Sequence, residues 1–241
     1  MTGTVQAMAI TRLSRLARRR KVGAVLVGLG IVVAAPACGS SQPGVRSMPP
    51  PDAVTSTAAG PPPRSVAVVA DSEVSDEVID GIDDRPDITV VSRVAEPGWT
   101  IEQLDPAFDE ALSAEPDVLV YSAGANNLLT TGLGGTLALL EEHIDRAKAD
   151  TCVVYVLPSS DTSSLPEPSR SQADGLLAGF ADITETWGIP VVSYPEIASA
   201  MALAGERFYA DGELGGFHPG PQSYGRIIDA MAVEIGTCPE G

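Results

Sequence analysis

Five short runs rich in Val and Ile constrain the fold of this chain more than any other feature. The runs are SVAVVA (65–70), ITVVSRV (88–94), DVLVYSAG (117–124), TCVVYVLP (151–158) and IPVVSYP (189–195). Each is apolar over consecutive positions, which is typical of strands buried on both faces, as in a parallel sheet. The sequence therefore predicts a sheet of five buried strands.

Helical patterns lie between these runs. Three sets of apolar residues recur at helical spacing, and each would form one face of a helix: Ile101, Leu104, Phe108 and Leu112; Leu133, Leu137, Leu140 and Ile144; and Tyr224, Ile227, Ile228, Met231 and Ile235. Strands that alternate with helices of this length predict a three-layer α/β/α sandwich. Because such sheets bind ligands at the carboxyl ends of their strands, candidate site residues are expected directly after each strand.

The first 37 residues have the pattern of an export signal. A basic stretch precedes 14 apolar residues, 22–35, which are fewer than the roughly 20 that a membrane span needs. Small residues then lead to Cys38 in AAPAC, which resembles a bacterial lipobox with Ala35 where Leu is preferred. We expect cleavage before Cys38 and a lipid anchor on Cys38. The alternatives are cleavage nearby without a lipid and an uncleaved membrane anchor. All three place the rest of the chain outside the cytoplasm.

The remaining chain divides into a linker and a domain. Residues 38–63 are rich in Pro, Ser and Gly, which is typical of a linker, and 64–241 would form the domain. Six of the 15 basic residues lie in the first 21 positions, so the chain without 1–37 has 9 basic and 32 acidic residues and a net charge of about −23. This charge disfavours nucleic acid as a partner.

Five polar or glycine residues follow the predicted strands in a suggestive order. They are Asp71 and Ser72 after the first, Gly98 after the second, Asn126 after the third, and His218 before the last helix. Each has an ordinary explanation by itself: a helix cap, a glycine turn, an asparagine turn or an exposed loop histidine. A hydroxyl, an imidazole and an amide at one sheet edge would instead suit nucleophilic catalysis with an oxyanion site.

The second histidine, His143, serves as a comparison. It lies in the middle of a predicted helix among charged residues, in LLEEHIDRAKAD. We expect it on a solvated face, which leaves His218 as the candidate base. Two histidines so differently placed, without a thiolate cluster, disfavour a metal site, and no Gly-rich Lys-Ser/Thr loop suggests a phosphate cradle.

Taken together, Ser72, Gly98, Asn126 and His218 resemble the four name residues of the SGNH hydrolases, also called the GDSL esterase/lipase family. The resemblance covers about residues 65–236 and implies a flavodoxin-like five-stranded sheet of order 2-1-3-4-5 that hydrolyses carboxylic esters without a cofactor. It also implies Ser72 as nucleophile, His218 as base, and the Ser72 N–H, the Gly98 N–H and the Asn126 side chain as oxyanion donors.

Three positions depart from the family pattern. The first block reads ADS where the family prefers GDS, and the third ends in Asn127 where the family usually has Asp. The third departure concerns the acid that orients the histidine, because the family places an Asp three residues before it and this chain has Gly215. We expect Asp211 to take that role, with Glu213 or a backbone carbonyl as alternatives.

Cys152 and Cys238 remain as a pair once Cys38 is set aside. Cys152 opens the fourth strand at the amino edge of the sheet, and the last helix, which begins near His218 at the carboxyl edge, returns the chain toward Cys152. We expect a disulfide between them; two buried free thiols are the alternative.

Together, these inferences predict an exported serine esterase that hydrolyses acetyl or other short acyl esters of cell-envelope carbohydrate or lipid. The alternative is a catalytically degenerate member of the same fold that binds a glycan or lipid without turnover. In either case we expect a monomer without a cofactor, which contacts the membrane only through the anchor on Cys38.

Overall fold

The computed structural model describes residues 62–158, 167–210 and 218–239. Five strands form one parallel sheet of order β2-β1-β3-β4-β5. The strands are β1 (Arg64–Ala70), β2 (Ile88–Ala95), β3 (Val118–Ser122), β4 (Cys152–Leu157) and β5 (Val191–Ser193). The predicted parallel sheet and its flavodoxin-like order are confirmed.

Within the described residues, six α-helices cover the sheet. They are α1 (Asp76–Asp83), α2 (Ile101–Ser113), α3 (Gly132–Lys148), α4 (Ser169–Trp187), α5 (Tyr194–Leu203) and α6 (Tyr224–Thr237). Helices α2, α3 and α6 contain the three apolar sets found in the sequence. Helices α1, α4 and α5 were not among those sets, because α1 and α5 are only 8 and 10 residues long and the buried face of α4 includes Ala and Thr.

The sheet separates two hydrophobic cores. Val66, Val68 and Ala70 of β1 pack on one face with α1, α5 and α6, whereas Ala67 and Val69 pack on the other with α2, α3 and α4. Successive side chains of a strand point to opposite faces, so a strand between two helical layers must be apolar at every position. This requirement explains the uninterrupted apolar runs of β1, β3 and β4. Burial on both faces was wrong for the two outer strands, because β2 and β5 lie at the edges of the sheet and are fully buried only at Ile88 and at Val192, respectively.

His143 corrects one expectation from the sequence. It is buried in α3, where its ring lies 4.4 Å from the ring of Phe108 and its Nδ1 is 2.8 Å from the Tyr121 hydroxyl. Its Nε2 is 3.3 Å from a carboxylate oxygen of Asp105, and burial lowers its pKa. The solvated position was wrong because residue 143 lies on the same helical face as Leu140, although its neighbours in sequence are charged.

Cys152 and Cys238 form a disulfide at the amino edge of the sheet, with their Cα atoms 5.9 Å apart. Cys152 is the first residue of β4, and Cys238 directly follows α6. Helix α6 therefore returns the chain from the His218 edge to the start of β4, as the topology predicts.

Reduction of this bridge is expected to destabilise the protein. It joins positions 86 residues apart, and removing a bridge of this kind typically costs about 2–5 kcal/mol of unfolding free energy. Urea unfolding with and without reductant should show the loss, and a Cys152→Ser/Cys238→Ser variant should be equally unstable in both conditions. An unchanged thiol count on reduction of the unfolded protein would contradict the bridge.

The predicted signal peptide, Cys38 and residues 38–61 of the predicted linker lie outside the described residues. Within the part of the chain that the structure describes, no helix combines the length and apolar character needed to cross a membrane.

Candidate active site

Ser72 lies in a turn at the carboxyl edge of the sheet, directly after β1. The turn is held from three sides: the Asp71 N–H donates to Ser122 O at 2.9 Å, the Glu96 N–H to Ala70 O at 3.0 Å, and the buried Tyr194 hydroxyl to Glu73 O at 3.0 Å. Ser72 itself stays half-buried. The turn therefore presents the serine hydroxyl from a rigid support.

The helix-capping explanation of Asp71 and Ser72 does not apply. The residue that precedes α1 is Ser75, three positions beyond Ser72, and Asp71 is turned into the protein with 1% of its surface exposed. Both side chains are thus available for another role.

His218 reaches Ser72 from the opposite end of the domain sequence. Its Nε2 lies 3.0 Å from Ser72 Oγ, across 146 positions of the chain. The backbone around it is anchored, because the Ala210 N–H donates to His218 O at 3.0 Å and the Gly220 N–H to Phe208 O at 2.6 Å. This distance allows the imidazole to accept the serine proton.

The acid expected to orient His218 is Asp211, with Glu213 as an alternative. Asp211, Glu213 and Gly215 all lie outside the described residues. Their role therefore stays a prediction.

Gly98 and Asn126 occupy the loops after β2 and β3. Gly98 is exposed with φ +80°, a conformation that favours glycine. Apart from Gly98 and its two chain neighbours, no described residue has an atom within 4 Å of the position that a Cβ would take. Asn126 Nδ2 donates to Trp99 O at 3.0 Å and to Asp71 Oδ2 at 3.3 Å. These contacts place the Asn126 amide between the turn that carries Ser72 and the turn that carries Gly98.

Asn127 anchors the loop after β3 through its side chain. It is fully buried, its Oδ1 accepts the Ile101 N–H at 2.8 Å, and its Nδ2 donates to Glu102 at 2.6 Å and to Thr131 Oγ1 at 3.0 Å. An amide here makes contacts that an Asp could make only in part, since a carboxylate has no N–H to donate. The departure from the family pattern at position 127 thus leaves the loop well held.

Asp71, which follows the first strand and had no role in the expected site, is a site residue. Its Oδ1 accepts the Glu73 N–H at 3.2 Å and its Oδ2 contacts Asn126. Burial raises the pKa of the Asp71 carboxyl to about 7, while the Glu73 N–H and the charge of His218 oppose the rise. Its only signal in the sequence is its position before Ser72, which a helix cap explained equally well.

The arrangement suits acyl transfer through a serine. An imidazole within hydrogen-bond distance of a hydroxyl is the least that activation of a serine nucleophile requires, and His218 and Ser72 meet this requirement. The Asn126 amide and the Gly98 loop lie near them, where they could bind an oxyanion. Among the residues that the structure describes, no group of three or more His, Cys, Asp or Glu side chains is arranged to hold a metal ion.

Comparison with known families gives one match. The sequence model described as GDSL-like Lipase/Acylhydrolase family matches residues 56–226. A comparison with curated proteins gives no match.

Solved structures share the fold at low sequence identity. A lipase/acylhydrolase from Enterococcus faecalis is 20% identical with a TM-score of 0.59, covering 74% of this chain and 100% of its own. A lipolytic protein of the G-D-S-L family from Veillonella parvula is 14% identical (TM-score 0.57, 70% and 96% covered). An acetylxylan esterase from Geobacillus stearothermophilus is 15% identical (TM-score 0.57, 73% and 95% covered).

Proposed function

Because the chain belongs to the GDSL-like lipase/acylhydrolase family, we propose that it is an exported serine esterase in which Ser72 is the nucleophile and His218 the general base. The observation that carries the proposal is the 3.0 Å distance between Ser72 Oγ and His218 Nε2. Esterase structures with the same fold support the reaction class.

The reaction begins with proton transfer from Ser72 to His218. His218 Nε2 takes the hydroxyl proton as Ser72 Oγ attacks the ester carbonyl carbon, and the carbonyl oxygen becomes an oxyanion. The N–H groups of Ser72 and Gly98 and Nδ2 of Asn126 donate to that oxyanion. The His218 imidazolium then protonates the alcohol oxygen, the bond between that oxygen and the carbonyl carbon breaks, and the alcohol departs. The acyl group remains on Ser72.

Water completes the cycle. His218 Nε2 removes a proton from a water molecule, the resulting hydroxide attacks the acyl carbon, and the returning proton restores the Ser72 hydroxyl as the carboxylic acid departs. For Nε2 to accept a proton twice, the neutral ring must carry its hydrogen on Nδ1, which is the atom that an orienting acid would hold. The cycle needs no cofactor.

The proposed substrates are acetyl or other short acyl esters on cell-envelope carbohydrate or lipid. Neighbouring structures include acetylxylan esterases, which supports an acetylated carbohydrate. The proposed export supports a substrate in the cell envelope, and the net charge of about −23 without residues 1–37 favours uncharged esters over anionic ones.

A fluorophosphonate probe tests the proposal directly. Such a probe reacts with an activated serine, so we expect a single adduct that maps to Ser72 by peptide mass spectrometry. Heat-unfolded protein is the control and should remain unlabelled. No adduct on the folded protein would contradict an activated Ser72.

A catalytically degenerate binding module is the second candidate. The observation that favours it is Gly215, which occupies the position where the family has the acid that orients the histidine. Such a protein would leave the probe unreacted yet retain a glycan or lipid, so binding of acetylated xylo-oligosaccharide without turnover would support it.

The proposed location is the outer face of the cell membrane, with acyl chains on Cys38 as the mature N-terminus. We expect the protein in the membrane fraction, and we expect Cys38→Ala to move it to the soluble exported fraction, since a lipid chain supplies about 0.8 kcal/mol of membrane binding per buried CH₂. Mass spectrometry of the mature N-terminus checks this. An unmodified Cys38 would contradict the anchor and leave export intact.

A further inference from the structure

Asp71 precedes the proposed nucleophile, yet its carboxyl takes no part in the proton transfers above. It is 1% exposed, and its two oxygens are used separately: Oδ1 accepts the Glu73 N–H at 3.2 Å and Oδ2 accepts from Asn126 Nδ2 at 3.3 Å. Burying a carboxyl is costly unless it is well paired, so a wholly buried one beside the reacting atoms invites a functional explanation.

The partner of that carboxyl is an amide whose direction matters. Asn126 Nδ2 donates to Asp71 Oδ2 and also to Trp99 O. The carbonyl, and the carboxyl in its ionised form, only accept hydrogen bonds. If the amide were inverted, its own oxygen would face both acceptors, which is repulsive. Asp71 and Trp99 together therefore select the orientation in which Nδ2 faces them.

The same amide connects the two turns on which the other oxyanion donors lie. Asp71 directly precedes Ser72, and Trp99 directly follows Gly98. An amide held between these turns keeps an N–H group, and not a lone pair, beside the place where the oxyanion forms. The oxyanion can then share the hydrogen that makes the longer contact, the 3.3 Å one to Asp71.

We propose that Asp71 is a positioning residue that acts through Asn126, holding its amide with Nδ2 directed to the oxyanion site. This inference rests on the proposed esterase function. Loss of one oxyanion donor typically lowers kcat by about 10²–10³-fold, and a donor that is misoriented for part of the time costs less. The effect belongs to kcat because the oxyanion exists only after the nucleophile attacks.

Asp71→Asn tests the role with little change of shape. The new amide has one oxygen and one NH₂ group, so it can accept from Asn126 or from the Glu73 N–H but no longer from both. On a short-chain p-nitrophenyl ester we expect kcat to fall about 10–100-fold with KM within about 2-fold. Because the substitution removes a buried ionisable group, the variant should fold, which cooperative thermal unfolding checks.

A double-mutant cycle identifies the partner. If Asp71 acts through Asn126, Asp71→Asn should not lower kcat further once Asn126 has been replaced by Ala. The kcat of the double variant should therefore equal that of Asn126→Ala within about 2-fold. A full additional loss in that background would mean that Asp71 acts elsewhere, for example on His218, and would overturn the proposal. Unchanged kcat in the single variant would overturn it as well.

Asp117→Asn is the matched control. Its carboxylate also accepts two hydrogen bonds, from the Ser65 N–H and hydroxyl at 2.7 and 2.8 Å, but at the amino edge of the sheet. It should leave kcat unchanged. If Asp71→Asn does not fold, Asp71→Ser replaces it in the cycle, and failure of both to fold would assign Asp71 a purely structural role and overturn the proposal.

Fluorophosphonate labelling separates this inference from the function on which it rests. An unlabelled Ser72 in the wild-type protein contradicts the esterase itself. A labelled Ser72 with an additive cycle contradicts only the link between Asp71 and Asn126.

Discussion

Ser72→Ala is expected to lower kcat on a short-chain p-nitrophenyl ester by about 10⁴–10⁶-fold. The alanine has no oxygen to attack the carbonyl, so His218, 3.0 Å away in the wild-type protein, has no nucleophile to activate. The fold should persist, because the Ser72 turn is held by backbone bonds and by Tyr194 and not by the hydroxyl. Initial rates of hydrolysis and thermal unfolding measure the two effects.

Ser113→Ala is the matched control for this experiment. Ser113 is an exposed serine at the end of α2, whose hydroxyl donates only to Asp109 O. Its variant should keep the full rate. Near-wild-type activity of Ser72→Ala would show that the ester is cleaved by another group and that the assignment of the nucleophile is wrong.

A drop in kcat/KM of up to about 10⁴-fold is expected for Asp211→Asn, with Glu213→Gln as the alternative. An acid that accepts from Nδ1 keeps the hydrogen of His218 on that nitrogen and stabilises the imidazolium that forms on attack. Because Gly215 has no side chain to do this, the function falls to a nearby acid. Kinetics of the two single variants, measured side by side, identify which one it is.

The kinetics of the Asp211 and Glu213 variants distinguish between possible partners of His218. A large loss in one variant alone names the orienting acid. Asp150→Asn, at an exposed position between α3 and β4, and Glu234→Gln, near the end of α6, are matched controls that should have no effect. No loss in either would mean a Ser72–His218 dyad or a backbone acceptor, and would contradict the prediction for both acids. Gly215→Asp should then raise the rate above that of the wild-type protein.

The layers of the fold were predictable because they follow from short stretches of sequence. Uninterrupted apolarity marks a strand buried on both faces, and the spacing of the apolar residues marks α2, α3 and α6. Helix α4 follows the same spacing with Ala173, Leu176, Phe180 and Thr184, but Ala and Thr are weak markers of burial and the helix was missed. The order of the strands required the family resemblance.

His143 shows how neighbouring charges can mislead. Adjacent residues of a helix point in different directions, so Glu141, Glu142 and Asp145 say little about the side of α3 on which His143 lies. Its spacing from Leu140 and Ala147 indicates the buried face. The hydrogen bond to the Tyr121 hydroxyl offsets the cost of burying the imidazole. Tyr121 lies on β3, so this bond could not be read from the sequence around His143.

The sequence by itself determined the alternation of strands and helices, the edge at which the site lies and the residue types available there, since these depend on neighbouring residues. Tertiary structure decided the contacts: His218 beside Ser72 and the sulfur atoms of Cys152 and Cys238 in one bond, both of which we expected, and the Asp71 carboxyl against Asn126, which we did not. These pairs lie 146, 86 and 55 positions apart. Their distances depend on the path of the whole chain, and so does the burial that makes Asp71 a weak acid.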